Sequence, residues 1–151
     1  MKAVPAKDKI FVGGQFLLFI LYLIPLSPWP FYIDVYWRYF ALLMSIVGLL
    51  IILISILQLN TNLSPFPTPV DSSTLIQTGL YKYIRHPIYS GIILAAIGVG
   101  VFYMSLWKIA VGSALWVLFS FKSRYEETLL QAKFQEYTKY MQATTRFFPF
   151  I

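Results

Sequence analysis

The chain has 151 residues, of which 58% are hydrophobic and 12% charged, with 12 lysines and arginines against 6 acids. An ordinary soluble domain carries about 25% charged residues, so a chain this apolar is expected in a membrane, and its mean hydropathy of +0.68 agrees. The lack of cysteine excludes disulfides and thiolate metal sites, one histidine and six acids speak against a transition-metal site, and the net charge of +6 flanks apolar segments as at an anionic membrane face rather than a nucleic-acid groove.

Residues 1–10 are short and basic, with Lys2, Lys7 and Lys9. Residues 11–27 are almost wholly apolar and no small-residue cleavage site follows them, so a first membrane span is expected there rather than a leader. Pro25, Pro28 and Pro30 suit a helix end and a turn. Trp29 to Tyr39 is dense in aromatics, which gather where lipid meets water. A second span is expected over 40–59. The polar stretch 60–78 carries Pro65, Pro67 and Pro69, which favour extended backbone.

Pro87 fits the first turn of a third span over 88–103, where its missing N–H costs nothing. Gly91, Ala95 and Gly98, with Ala96 and Gly100, offer small residues at helical spacing for close approach by another helix. A turn at 104–108 leads to a fourth span over 107–121. From Lys122 the pattern is amphipathic, with Leu130, Phe134, Tyr137 and Met141 on one face, and a single helix over 122–143 is expected. The closing run from Arg146 is apolar and expected to pack.

The reading is one all-α integral membrane domain, 1–151, of about four transmembrane helices, a central loop over 60–87 and a C-terminal amphipathic cytoplasmic helix and tail. With both termini cytoplasmic, ten of the twelve lysines and arginines fall inside and only Arg38 and Lys108 outside. That places the loop, His86 and Glu126 at the cytoplasmic membrane face.

Gly79 to Gly91 holds the only histidine, with Lys82, Arg85 and three tyrosines, where a polar loop becomes an apolar helix. Arg85 and His86 at a helix N-terminus oppose the helix dipole, which prefers anions; a carboxylate or phosphate between them would relieve this. Glu126 lies on an otherwise apolar face and needs a cationic partner, from Lys122, Arg124, Arg146 or a bound cation. Tyrosines 81, 89, 137 and 140 and Phe134 could wall a cation site. No P-loop or dinucleotide fingerprint is present.

Pro65-Phe66-Pro67-x-Pro69, Leu75-Ile76-x-Thr78-Gly79-x-Tyr81, Arg85-His86-Pro87-x-Tyr89-x-Gly91, Glu126-Glu127-x-x-Leu130-x-x-x-Phe134-x-x-Tyr137-x-x-Tyr140 and Arg146-Phe147-Phe148-Pro149 follow one another over Ser64 to Ile151. In order and spacing they resemble the membrane methyltransferases of the isoprenylcysteine carboxyl methyltransferase and phospholipid methyltransferase superfamily. The resemblance implies S-adenosyl-L-methionine as methyl donor, held by Ser73, Thr74, Leu75, Ile76, Tyr81, Arg85, His86, Pro87, Ile88, Tyr89 and Glu126. It implies a basic residue facing the acceptor, Arg124 as first choice or Lys122, and no metal. A lipophilic carboxylate, such as an isoprenylcysteine-like group, would need orientation alone. A phospholipid amine would need a base, for which Glu127 is the nearest candidate. Membrane sterol reductases, which use NADPH, share Arg-His-Pro-x-Tyr, but Ile88 and Ile92 stand where they usually have asparagine and an acid. A non-enzymatic scaffold would leave the clustering of His86, Glu126 and the basic residues without a purpose.

Overall fold

A computed structural model describes residues 4–26 and 31–149. Lys2, the turn expected at Pro28 to Pro30 with Trp29, and Ile151 lie outside them. The described residues form five α-helices: α1 (Ala6–Leu23), α2 (Val35–Leu59), α3 (Pro87–Phe102), α4 (Leu106–Lys133) and α5 (Tyr137–Ala143), with short 3-10 turns at Asn60–Asn62 and Gly79–Lys82. The all-helical class is as expected.

α2 starts at Asp34, whose carboxylate accepts from the Tyr36 N–H, and then runs through an unbroken apolar stretch. Together with the following 3-10 turn it spans Val35–Asn62, within which a stretch of 18 residues reaches a mean hydropathy of 3.0. At 1.5 Å per residue that is about 42 Å, and it is the one helix among the described residues long and apolar enough by itself to cross a membrane. α3 is apolar but 16 residues long. Pro87 occupies its first turn.

The helices pack as neighbouring antiparallel pairs, α2 on α3, α3 on α4 and α4 on α1. The small residues of α3 find their partner in α2. A Cβ at Gly48 would lie 2.7 Å from the Gly91 carbonyl oxygen, and one at Gly91 would lie 2.6 Å from the Gly48 oxygen. Ser45 fills the next gap, donating to Ala41 O at 3.0 Å and to Ala95 O at 3.3 Å. α3 and α4 enclose the core of Ile93, Ala96, Leu115 and Phe119, and Phe147 from the tail closes it. α1 is fixed to the start of α4 by Trp107 Nε1, which donates to Leu21 O at 3.0 Å, and Lys108 Nζ, which donates to Tyr22 O at 2.8 Å. Arg38 donates to Phe102 O at this same end of the bundle.

Two expectations change. The first apolar helix, expected over 11–27, starts earlier and ends at Leu23, where Ile24 turns extended. The helix expected over 122–143 is not separate from the span before it. No breaker lies between Phe121 and Lys122, so α4 continues unbroken to Lys133. Phe134 then turns extended and α5 follows. The apolar face over 130–141 is therefore shared by two helices meeting at Phe134. The tail does pack: Ile84 and Thr145 form a parallel bridge, and the Arg85 and His86 N–H groups donate to Thr145 O and Arg146 O at 2.9 and 3.1 Å.

Candidate functional site

At the end of the bundle opposite Arg38 and Lys108, the proline loop arches over the N-terminal turn of α3 and encloses a cavity of about 350 Å³. Its lining includes Ser73, Thr74, Leu75, Ile76, Tyr81, Arg85, His86, Ile88, Tyr89, Lys122 and Glu126. The structure thus gathers nearly all the residues singled out in the sequence. Pro87 is buried but does not line the cavity; it starts the helix that carries Ile88 and Tyr89.

Arg124 is exposed and off the cavity. On a continuous helix, two positions from Glu126 is a turn of about 200°, onto the opposite face. Lys122 is one turn before Glu126 on the same face, and of the two basic residues it is the one that lines the cavity. Its side chain is buried, donating from Nζ to Gln15 Oε1 and to Pro65 O, each at 2.8 Å, with Nζ 5.3 Å from the Tyr89 ring centroid. No carboxylate oxygen lies within 4.0 Å of Nζ among the described residues.

Glu126 accepts from the Tyr89 hydroxyl at 2.9 Å, and His86 Nδ1 is 3.9 Å away. No lysine or arginine pairs with it among the described residues. Tyr89 is held flat between His86 and Phe119, with ring centroids 5.4 and 4.5 Å away. The cavity therefore has a carboxylate at one place, an ammonium at another, and aromatic rings between.

Glu127 is placed differently from its expected use as a base. It is buried behind the cavity wall and does not line it. Arg85 Nε lies 2.8 Å from its Oε1, Arg146 Nη2 2.6 Å from its Oε2, and His86 Nε2 3.3 Å from Oε1. Burial pushes its carboxyl up, but His86, Arg146 and Arg85 together hold it well below the usual carboxylate range. A carboxylate so stabilised is a poor proton acceptor. The anion expected between Arg85 and His86 is thus the protein's own Glu127. Arg85 is further committed to the carbonyls of Met141 and Thr144.

Three residues were missed in the sequence. Asp8 is fully buried and accepts from the Thr68 N–H at 3.0 Å. Lys133 donates to Val70 O, to Asp71 O at 3.1 Å and to Ser73 Oγ at 2.8 Å. Gln15 reaches the cavity from α1. With Lys122 they tie down a loop that makes few hydrogen bonds within itself. Only the Lys122 spacing to Glu126 gave a signal for any of this in the sequence.

Fold and site together define an all-helical protein with a charged and aromatic cavity at one end of an apolar helix bundle. The sequence profile of the isoprenylcysteine carboxyl methyltransferase family matches residues 38–132, and the chain belongs to that family. It is 39% identical over 83 residues to a probable protein-S-isoprenylcysteine O-methyltransferase of Oryza sativa subsp. indica, covering 54% of this chain and 44% of the relative. It is 32% identical over 79 residues to protein-S-isoprenylcysteine O-methyltransferase B of Arabidopsis thaliana, covering 51% and 40%. It is 33% identical over 79 residues to the cobalt-zinc-cadmium resistance protein CzcN of Cupriavidus metallidurans, covering 52% and 37%. The chain matches less than half the length of these relatives.

Proposed function

We propose that this chain transfers a methyl group from S-adenosyl-L-methionine to the carboxylate of a lipophilic acceptor, at the cytoplasmic face of a membrane its first four helices cross. The observation that carries the reading is the pairing, one helical turn apart in one cavity, of a carboxylate that no lysine or arginine pairs and an ammonium with no carboxylate oxygen within 4.0 Å, among the described residues. Family membership makes methyl transfer the chemistry to which such a pair is put.

The cavity fits the donor. Glu126 would take the donor's ammonium or ribose hydroxyls, and the rings of Tyr89, Tyr137 and Tyr140 would face its sulfonium charge. The donor supplies an electrophilic methyl carbon. The chain's own residues do the rest by position: Lys122 holds the acceptor carboxylate, and the proline loop keeps water out. No base is required for a carboxylate. An amine acceptor would need one, and the ion-paired state of Glu127 argues against that alternative. The acceptor's tail has a place to lie, an apolar groove of about 250 Å³ lined by Phe19, Tyr22, Leu49 and Leu115, which shares Ile92 with the cavity.

Membrane orientation is supported by charge. Among the described residues only two basic residues, Arg38 and Lys108, lie at the bundle end away from the cavity, and the positive-inside rule expects such sparse positive charge of the outer face.

The first experiment is calorimetric titration of the detergent-purified protein with S-adenosylhomocysteine, and with NADPH in parallel. Saturable binding of the former alone is expected. NADPH binding alone would move the chain to the reductase reading, and binding of neither by a folded sample would favour a scaffold. Glu126→Gln is expected to weaken S-adenosylhomocysteine at least about tenfold, because a hydrogen bond to a charged group is worth roughly 1.5–3 kcal/mol; unchanged affinity would remove Glu126 from the donor site. Lys122→Met is expected to lower turnover of a lipophilic carboxylate about a hundredfold, the scale of one lost charge-stabilising donor, while donor affinity stays within a few-fold.

A further inference from the structure

α1 lies outside the segment matched by the family profile, yet it supplies a cavity wall. Gln15 Oε1 accepts from Lys122 Nζ at 2.8 Å, and Pro65 O accepts from the same nitrogen at the same distance. Lys122 is 1% exposed. An ammonium has three donors. Two are taken by neutral oxygens, which orient the group without cancelling its charge, and the third has no protein acceptor among the described residues. With its hydrogen bonds going only to neutral oxygens, and Glu126 and Asp8 acting on it from beyond 4.0 Å, this buried charge retains a demand for a counter-ion in direct contact. Had position 15 carried a glutamate, the same geometry would hold an internal ion pair, and the cavity would have no net attraction for an anion.

We propose that Gln15 is a specificity-determining residue: its neutral amide fixes the Lys122 ammonium at the cavity wall while leaving its charge free for an acceptor carboxylate, so that the site selects the carboxylate of a lipophilic molecule over the carboxamide of the same molecule. The inference rests on the reading of this cavity as the acceptor site. It assigns α1 a part in acceptor choice and none in donor binding, which falls to Glu126 and Tyr89.

The test uses the full chain in detergent, with N-acetyl-S-farnesylcysteine as methyl acceptor, its carboxamide as competing inhibitor and S-adenosylhomocysteine as donor-site probe. In Gln15→Glu the KM for the carboxylate is expected to rise at least tenfold, while the carboxamide inhibition constant and the S-adenosylhomocysteine affinity stay within twofold. A variant that had merely lost structure would weaken all three together. Gln15→Met, neutral and of similar length but with no acceptor for the ammonium, is expected to keep the preference for carboxylate over carboxamide and lose about tenfold in kcat. Unchanged discrimination in Gln15→Glu, or unchanged kcat in Gln15→Met, would overturn the role of Gln15 and leave the acceptor reading standing. A wild-type protein that binds S-adenosylhomocysteine but neither methylates the carboxylate nor prefers it to the carboxamide would overturn both.

Discussion

Glu127→Ala is expected to destabilise the protein by about 3–5 kcal/mol, the cost of stranding a buried charge by deleting its partner. The stranded group is Arg85, whose side chain is 8% exposed and whose Nε lies 2.8 Å from Glu127 Oε1. Arg146 loses a partner in the same event, and His86 a neighbour. These residues join the start of α3, the C-terminal part of α4 and the tail, so the loss should loosen all three together. Thermal unfolding in detergent measures it, and a midpoint within about 1 °C of wild type would show the cluster to be solvated and weak. Acid offers a second readout. The folded Glu127 carboxyl titrates below its ordinary 4.5, so its stabilisation is complete above that pH and is lost as pH falls through the folded value. Glu127→Gln should be less stable than wild type at neutral pH, and the gap should narrow below pH 4.5. A constant gap would refute the linkage.

The second large effect belongs to the crossing of α2 and α3. Gly48→Val and Gly91→Val are each expected to cost about 1–3 kcal/mol or more, the usual penalty of overpacking. Each new Cβ would fall within 2.7 Å of the facing carbonyl oxygen, which is backbone and cannot turn aside as a side chain could. The two helices must separate along the contact that also carries Ser45. Gly13→Ala is the control, since a Cβ there meets nothing within 4 Å and removing a helical glycine is neutral or stabilising. Equal midpoints for all three variants would mean that α2 and α3 do not meet at these glycines.

Helix positions were legible in the sequence because apolar runs and prolines report on local structure. Pro87 marked the start of α3, and the glycine and alanine spacing of α3 showed that another helix approaches, though not that it is α2. The site was legible wherever its residues lie close in the chain, as from Tyr81 to Tyr89. Charge pairing was not. Arg85 and His86 read as an anion site because nothing local shows that Glu127, 42 residues on, fills it. Arg124 read as the first choice over Lys122 until the continuity of α4 fixed which face each occupies. The roles of Asp8 and Lys133 depend on contacts with a loop 60 residues away, and that of Gln15 on Lys122, 107 residues on; no periodicity encodes such distances.

The partners of Arg85 also impose an order on biosynthesis. All of them lie downstream: Glu127 by 42 residues, the Met141 carbonyl by 56 and the Thr144 carbonyl by 59. At a synthesis rate of about 5–20 residues per second, roughly 3–12 s separate the emergence of Arg85 from that of its last partner. Until Glu127 emerges, roughly 2–8 s after Arg85, the guanidinium lacks this counter-ion and must remain hydrated. The last contacts to form are those of 144–147, which returns to the stretch from Ile84 to Ser90. A ribosome that stalls before that segment leaves a nascent chain in which Arg85 lacks the Thr144 carbonyl and Glu127 lacks Arg146.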